Sequence, residues 1–307
     1  MCGIGGYIKA SELNVKDIKE IERLCREVEV HGEDAFGYYN GFEVFKAPVS
    51  AGVFWDIVKK FGSVRRVVPK GSKLFLFHCR EATHGSPRIN RNNHPFEGEH
   101  WVVAHNGIIY NYAKFFNPKE TGIDCDSYAI LCALEKGLSQ GVEGALKMLS
   151  ELMGSMSIWA YFKPEGRLFL YTNTGNVGYK VEGDVLVFKT RYQDKDFIPL
   201  SDEVVYEVDT KTLKVVPLME VEVARVVYRV HYPNDSSLVW YPSRWYRYHS
   251  QDYLCEGLDD DPDYETKEDL VLSFLDVYDF DYHHEDGMVT LVRVPKKFAR
   301  RVAPNTT

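Results

Sequence analysis

The order in which strand-forming and helix-forming runs alternate restricts the fold of this chain more than any other feature. Residues 3–9 read as a short strand, and residues 14–28 as a helix, with Val15, Ile18, Ile21, Leu24 and Val28 at near-helical spacing. Short β-rich or aromatic runs follow at 36–45, 73–78 and 101–105, separated by loops rich in Gly, Asn and Pro. Two helices at 126–136 and 142–153 come next, and strand-like alternation resumes at 155–162, 167–171, 185–189 and 204–208. Strands, then two helices, then strands again call for layered sheets with helices packed outside them, an α+β architecture. After Val216-Pro217 the composition shifts: residues 220–254 are dense in Val, Tyr and Trp, 259–263 read as an acidic linker, 266–276 as a helix with Asp269 a capping partner of Thr266, 288–294 as a strand, and 296–301 as a basic tail.

With 307 residues the chain can bury one large or two ordinary cores. Its formal charge of -8 argues against a general binder of nucleic acid or of anionic membranes, both of which need a basic surface. No apolar run approaches the ~20 residues that span a bilayer. The six cysteines (Cys2, Cys25, Cys79, Cys125, Cys132 and Cys255) lack Cys-x-x-Cys spacing, which speaks against a disulfide framework or a zinc knuckle and for a reducing cytoplasm. Cys79, Cys125 and Cys132 are read as small buried side chains. His78, His84, His94, His100 and His105 match no common metal-ligand spacing, so no metal or other cofactor is expected.

Cys2 stands directly behind Met1. Removal of Met1 would place a thiol and a free α-amine on one residue, and an α-amine has an intrinsic pKa of about 7.7 to 8.0. Such a residue carries its own general base. An amide-hydrolysing thiol also needs donors for the developing oxyanion and groups that hold the substrate. Arg80, in His78-Cys79-Arg80-Glu81-Ala82-Thr83-His84-Gly85, could grip a carboxylate with its guanidinium fork. Asn106-Gly107 offers a side-chain amide beside a glycine N–H, although the same dipeptide also favours a hairpin turn. Asp126, at a helix start, could pair with an ammonium group or serve as a cap.

These segments resemble the class II glutamine amidotransferases, whose glutaminase domain is an N-terminal-nucleophile hydrolase. Met1-Cys2-Gly3-Ile4, His31-Gly32-Glu33-Asp34-Ala35-Phe36-Gly37, Arg80-Glu81-Ala82-Thr83-His84-Gly85, Asn93-His94-Pro95 and His105-Asn106-Gly107 occur in that family's order. The resemblance implies a four-layer αββα sandwich over residues 2–217, followed by a small α/β extension over 218–307. It implies Cys2 as nucleophile, Asn106 and Gly107 as the oxyanion hole, Arg80 and Asp126 as ligands of the glutamine carboxylate and ammonium, and Thr83 and His84 as supports of the Arg80 loop. Members that make amino sugars usually carry Trp at the place of Glu81, Arg at that of His31 and Thr-Glu at that of Ser127-Tyr128, so the acceptor of ammonia stays open.

About 90 residues follow Pro217, and they contain no pyrophosphate-binding, Walker or sugar-isomerase pattern. The expectation is a glutaminase that supplies ammonia to a separate synthase docked on residues 218–307; a homo-oligomer is compatible with the same sequence. Two alternatives stand beside it: an amidase of the same type acting on another amide, and an inactive glutamine-binding scaffold.

Overall fold

The computed structural model describes residues 2–60, 64–192 and 195–223 in full and, beyond these, the backbone of four strands. Residues 1–152 with 156–221 form one compact unit, and 153–155 with 222–307 a second. In the first unit the strands are β1 (Gly3–Lys9), β2 (Ala35–Tyr39), β3 (Val44–Ala47), β4 (Leu74–Arg80), β5 (Phe96–Glu97), β6 (Trp101–Ile109), β7 (Gly154–Phe162), β8 (Arg167–Thr172), β9 (Val177–Glu182), β10 (Val185–Thr190), β11 (Ile198–Pro199), β12 (Val204–Val208) and β13 (Val215–Glu220). The helices are α1 (Val15–Glu29), α2 (Ala51–Lys60), α3 (Val64–Val67), α4 (Pro118–Thr121), α5 (Tyr128–Gly137) and α6 (Gly141–Lys147).

Two sheets stack on each other. One has seven strands in the order β11-β9-β10-β1-β4-β2-β3, the other six in the order β13-β12-β8-β7-β6-β5. Helices α1 and α2 cover the outer face of the first sheet, and α5 lies against β5 and β6 of the second. The result is helix, sheet, sheet, helix, the expected α+β sandwich. In the second unit β14 (Arg225–His231), β15 (Leu238–Tyr241), β16 (Phe280–Glu285) and β17 (Met288–Arg293) make a four-stranded antiparallel sheet in the order β15-β14-β17-β16. The expected acidic linker, the helix at 266–276, much of the Val-, Tyr- and Trp-dense stretch 220–254 and the basic tail lie outside the described residues.

Each strand of the stacked sheets alternates between two faces, as period two requires. In β1, Tyr7 joins the core beneath α1 and α2, whereas Ile4 and Ile8 join the core between the sheets. In β4, Phe75, Phe77 and Cys79 take the outer core, and Leu74 and Leu76 the inner one. The opposing sheet sends Val102, Ala104, Trp159, Leu168 and Leu170 into the same inner layer. Trp159 Nε1 ties the sheets together by donating to Phe77 O at 3.1 Å.

Helix α1 opens on a capping box: Asn14 Oδ1 accepts from Lys16 N and Asp17 N, and Asp17 Oδ2 accepts from Asn14 N at 2.7 Å. Asp17 is buried and also receives Tyr7 O–H at 2.8 Å and Lys9 Nζ at 2.8 Å, which fastens α1 to β1. Helix α2 was not expected. Its glycine, β-branched and aromatic residues disguise a helical stripe in which Ala51, Phe54, Trp55 and Val58 are buried. Cys79 and Cys125 are buried thiols as expected and Cys25 is buried too, but Cys132 is only half-buried.

Candidate active site

At one end of the inter-sheet layer the alternation continues while the residues turn polar. Beyond Ile4 comes Cys2, and beyond Leu76 come His78 and Arg80. In the same way Ala104 gives way to Asn106, Trp159 to Ser157, Leu170 to Thr172, and Phe188 to Thr190. All of these except Cys2, which is half-buried, are nearly inaccessible to solvent. Contacts knit the end together: Ile4 N donates to Thr190 Oγ1 at 3.1 Å, Ser157 and Thr172 hydroxyls lie 2.9 Å apart, and His78 Nε2 meets His105 O at 3.0 Å across the two sheets.

Cys2 opens β1 beside the end of β4, since Gly3 pairs with Cys79. Its thiol donates to Glu81 O at 3.2 Å. Burial pushes that thiol up to about 11, with the Arg80 charge pulling it down and Asp126 and Asp34 pushing it further up. The sulfur, the guanidinium and the Asp126 carboxylate therefore share one electrostatic neighbourhood. A thiol held so firmly in its protonated form needs a base before it can attack.

Arg80 ends β4 as a buried cation. Nη1 donates to Asn93 Oδ1 at 2.6 Å, and Nη2 to His84 O at 2.5 Å and Gly85 O at 2.8 Å. A guanidinium has five N–H groups, so these three contacts leave two. The guanidinium thus ties the end of β4 to the loop that carries Thr83 and His84. Thr83 itself is exposed. Asp126 is buried and accepts from Ile109 N at 2.5 Å, while His84 Nδ1 stands 3.9 Å from its other oxygen. Ser127, not Asp126, occupies the cap position of α5.

Asn106 and Gly107 lie inside β6, so the hairpin-turn reading is corrected: the strand runs through them to Ile109. Gly107 has φ +150°, a backbone that glycine accepts most readily. The Asn106 side-chain nitrogen is buried and has no hydrogen-bond partner among the described residues. A buried amide donor left without an acceptor is costly. It is what an oxyanion donor looks like before substrate arrives.

Several contributors escaped the sequence reading. Gly32 is one, because a Cβ there would sit 2.4 Å from Arg80 C and 2.5 Å from Glu81 N. The loop after α1 thus lies directly on the backbone that leaves β4. Asp34 closes the contact, its N–H donating to Arg80 O at 2.9 Å and its Oδ2 accepting from Ala82 N at 2.8 Å. The sequence signal was present in the quoted His31-Gly32-Glu33-Asp34 segment, but nothing local assigned it a role. On the opposite flank, Ser157 Oγ lies 3.1 Å from Thr174 Oγ1 and donates to Asn176 Oδ1 at 2.6 Å.

A half-buried thiol and an unpartnered amide donor stand at the end of a stacked β-sandwich, and residues 35–171 match the family model described as glutamine amidotransferases class-II. The chain carries a domain of that family. Similar sequences include the glutamine--fructose-6-phosphate aminotransferase [isomerizing] of Halalkalibacterium halodurans (strain ATCC BAA-125 / DSM 18197 / FERM 7344 / JCM 9153 / C-125), 30% identical over 172 residues that make up 52% of this chain and 26% of that one. The enzyme of the same name from Thermococcus kodakarensis (strain ATCC BAA-918 / JCM 12380 / KOD1) is 32% identical over 188 residues, 56% of this chain and 29% of that one. The chain thus matches little more than a quarter of the length of these curated relatives.

Among solved structures, glutamine phosphoribosylpyrophosphate amidotransferase from B. subtilis, complexed with ADP and GMP, superposes with a TM-score of 0.53 at 15% identity, covering 73% of this chain and 51% of that one. A structure described as the allosteric regulatory enzyme of purine biosynthesis gives 0.55 at 13% identity, covering 72% of this chain and 50% of that one. Both agree on the fold. Among the described residues no helix is long and apolar enough to cross a membrane.

Proposed function

We propose that this chain is a glutaminase that hydrolyses glutamine to glutamate and ammonia and supplies the ammonia to a separate synthase. The observation that carries the reading is the buried, unpartnered Asn106 nitrogen in the same end layer as the Cys2 thiol. With Met1 removed, the Cys2 α-amine takes the thiol proton, and the thiolate attacks the side-chain amide carbon of glutamine. Negative charge gathers on the carbonyl oxygen, toward which Asn106 Nδ2 and Gly107 N–H donate. Collapse breaks the C–N bond; the departing nitrogen takes the proton from the amine and leaves as ammonia. Water then attacks the γ-glutamyl thioester through a second oxyanion and returns the proton to sulfur, releasing glutamate.

Arg80 and Asp126 suit the two ends of a free amino acid, the former through the donors its loop contacts leave, the latter through Oδ1. Thr83 and His84 line the loop they share. The relatives named as aminotransferases and an amidotransferase pass nitrogen to a second substrate, which supports a synthase as partner, with residues 218–307 as its docking region. The described cysteines are all free, which suits a reducing, cytoplasmic setting.

Glutamine turnover by the purified protein tests the reading, with mass measurement confirming that Met1 is gone. Cys2→Ala is expected to abolish hydrolysis while preserving the fold. Asn106→Ala is expected to lower kcat on the order of 10²- to 10³-fold. Full activity in the Cys2 variant would end the proposal.

A further inference from the structure

His31 and Arg191 belong to none of the roles above, yet both reach the start of β1. Strands β1 and β10 run antiparallel with Gly5 opposite Lys189 and Gly6 opposite Phe188, and Ile4 bonds the Thr190 side chain. One further step of that ladder sets Arg191 level with Gly3, the residue after Cys2. Lys189 lies on the outer face, where it pairs with Glu27 of α1 at 3.0 Å, and Arg191 follows just past the end of β10. There Arg191 Nη1 meets His31 Nδ1 at 2.9 Å, just past the end of α1. A Cβ on Gly3 would stand 3.6 Å from His31 Cβ, so His31 lies against the chain beside Cys2.

The pair is held in one arrangement. Arg191 has φ +53°, unfavourable for a residue with a side chain, and its N–H is fixed to Asn176 O at 2.8 Å. Arginine offers only donors, so His31 Nδ1 must accept, which leaves the hydrogen on Nε2 and the ring neutral. Burial first, and then the Arg191 charge, lower the His31 pKa to about 4, so the ring stays neutral throughout the physiological range.

We propose that Arg191, docked on a neutral His31, is a positioning residue for the Cys2 base: its permanent charge beside the start of β1 lowers the proton affinity of the Cys2 α-amine, keeping that amine free to take the thiol proton. The inference rests on the glutaminase reading. The other charged groups around this end come from four elements. Arg80 at the end of β4 acts in the same sense, its donors largely committed to its loop; Lys189 on β10 is paired with Glu27; Asp34 after α1 and Asp126 before α5 act in the opposite sense, both held by backbone N–H groups. Arg191 adds a second positive charge against those two acids.

The test uses the full chain with Met1 removed, 15N-labelled at cysteine, in two measurements. The first is the 15N titration of the Cys2 α-amine, which needs no turnover; the second is the pH profile of kcat/KM for glutamine. Arg191→Gln is expected to raise the amine pKa, and with it the acidic limb of the profile, by about half to one pH unit. Arg191→Lys should stay near the parent value. His31→Gln, which keeps an acceptor, should also stay near it, whereas His31→Leu should shift as Arg191→Gln does. An Arg191→Gln protein with an unmoved amine pKa, whatever its activity, overturns the inference, as does failure of Arg191→Lys to restore it. Should the parent protein not hydrolyse glutamine, the glutaminase reading fails by itself, and the titration still decides whether Arg191 sets the amine.

Discussion

Arg80 shows how much one side chain can organise here. Its three contacts reach Asn93, His84 and Gly85, and Lys46 Nζ adds a bond to Asn93 O at 2.8 Å, so a single cation gathers the loop between β4 and β5. Lysine could not reproduce the planar fork. Arg80→Lys should therefore cost about 2 to 3 kcal/mol of stability, the scale of lost hydrogen bonds to a buried charge, read as a lower urea midpoint. It should also raise KM for glutamine. At this scale the sequence was informative about identity and weak about partners. Cys2, Arg80, Asn106 and Asp126 stand out in their motifs, but that Arg80 serves its own loop, or that Gly32 must lack a side chain to let that loop pass, depends on segments that meet only after folding.

Among elements, α1 was legible because its apolar spacing and its Asn14 cap act locally, and β1 because it is short and bounded. Helix α2 was not, since Gly52, Val53, Phe54 and Trp55 look strand-like until tertiary burial selects the helix. The α1–β1 joint gives a test. Asp17 is buried, which by itself would raise its pKa, but bonds from Lys9, Asn14 and Tyr7 outweigh this and hold it below the ordinary carboxylate value. Its contribution is then present above the unfolded-state pKa and lost as pH falls through the lowered folded-state value. Asp17→Asn should destabilise by about 3 kcal/mol near neutral pH, because it strands a buried Lys9. The difference from the parent protein, followed by urea unfolding, should shrink as the pH is taken down through the carboxylate range.

For the molecule as a whole, the layer order was readable from the succession of runs, but which strands face each other across the sandwich was not. Period two says that Asn106 and Ser157 share a face with their neighbours; it does not say that His78 of one sheet will meet His105 of the other. Stability against alkali also belongs to this scale. Burial raises the thiols of Cys25, Cys79 and Cys125, so the folded chain keeps their protons while an unfolded chain releases them near the ordinary thiol pKa. A raised folded-state pKa means stability that is intact below the unfolded value and declines as pH climbs past it. Each thiol adds a slope of about 1.4 kcal/mol per pH unit there. Under reducing conditions, urea midpoints measured between pH 8.5 and 10 should fall less steeply in Cys79→Ala than in the parent. Residues 1–221 should also fold cooperatively alone, since Tyr171 O–H donates to Val221 O at 3.0 Å, whereas a chain cut before Val221 should melt lower.

The switch from hydrocarbon to hydroxyl and amide along β1, β4, β6, β7, β8 and β10 carries a further meaning for heat. Because the reactive end is simply the next rung of the ladder that makes the inner core, it has no hinge of its own by which to loosen early. Warming should thus leave turnover intact until the sandwich itself gives way, with inactivation and loss of sheet signal arriving together.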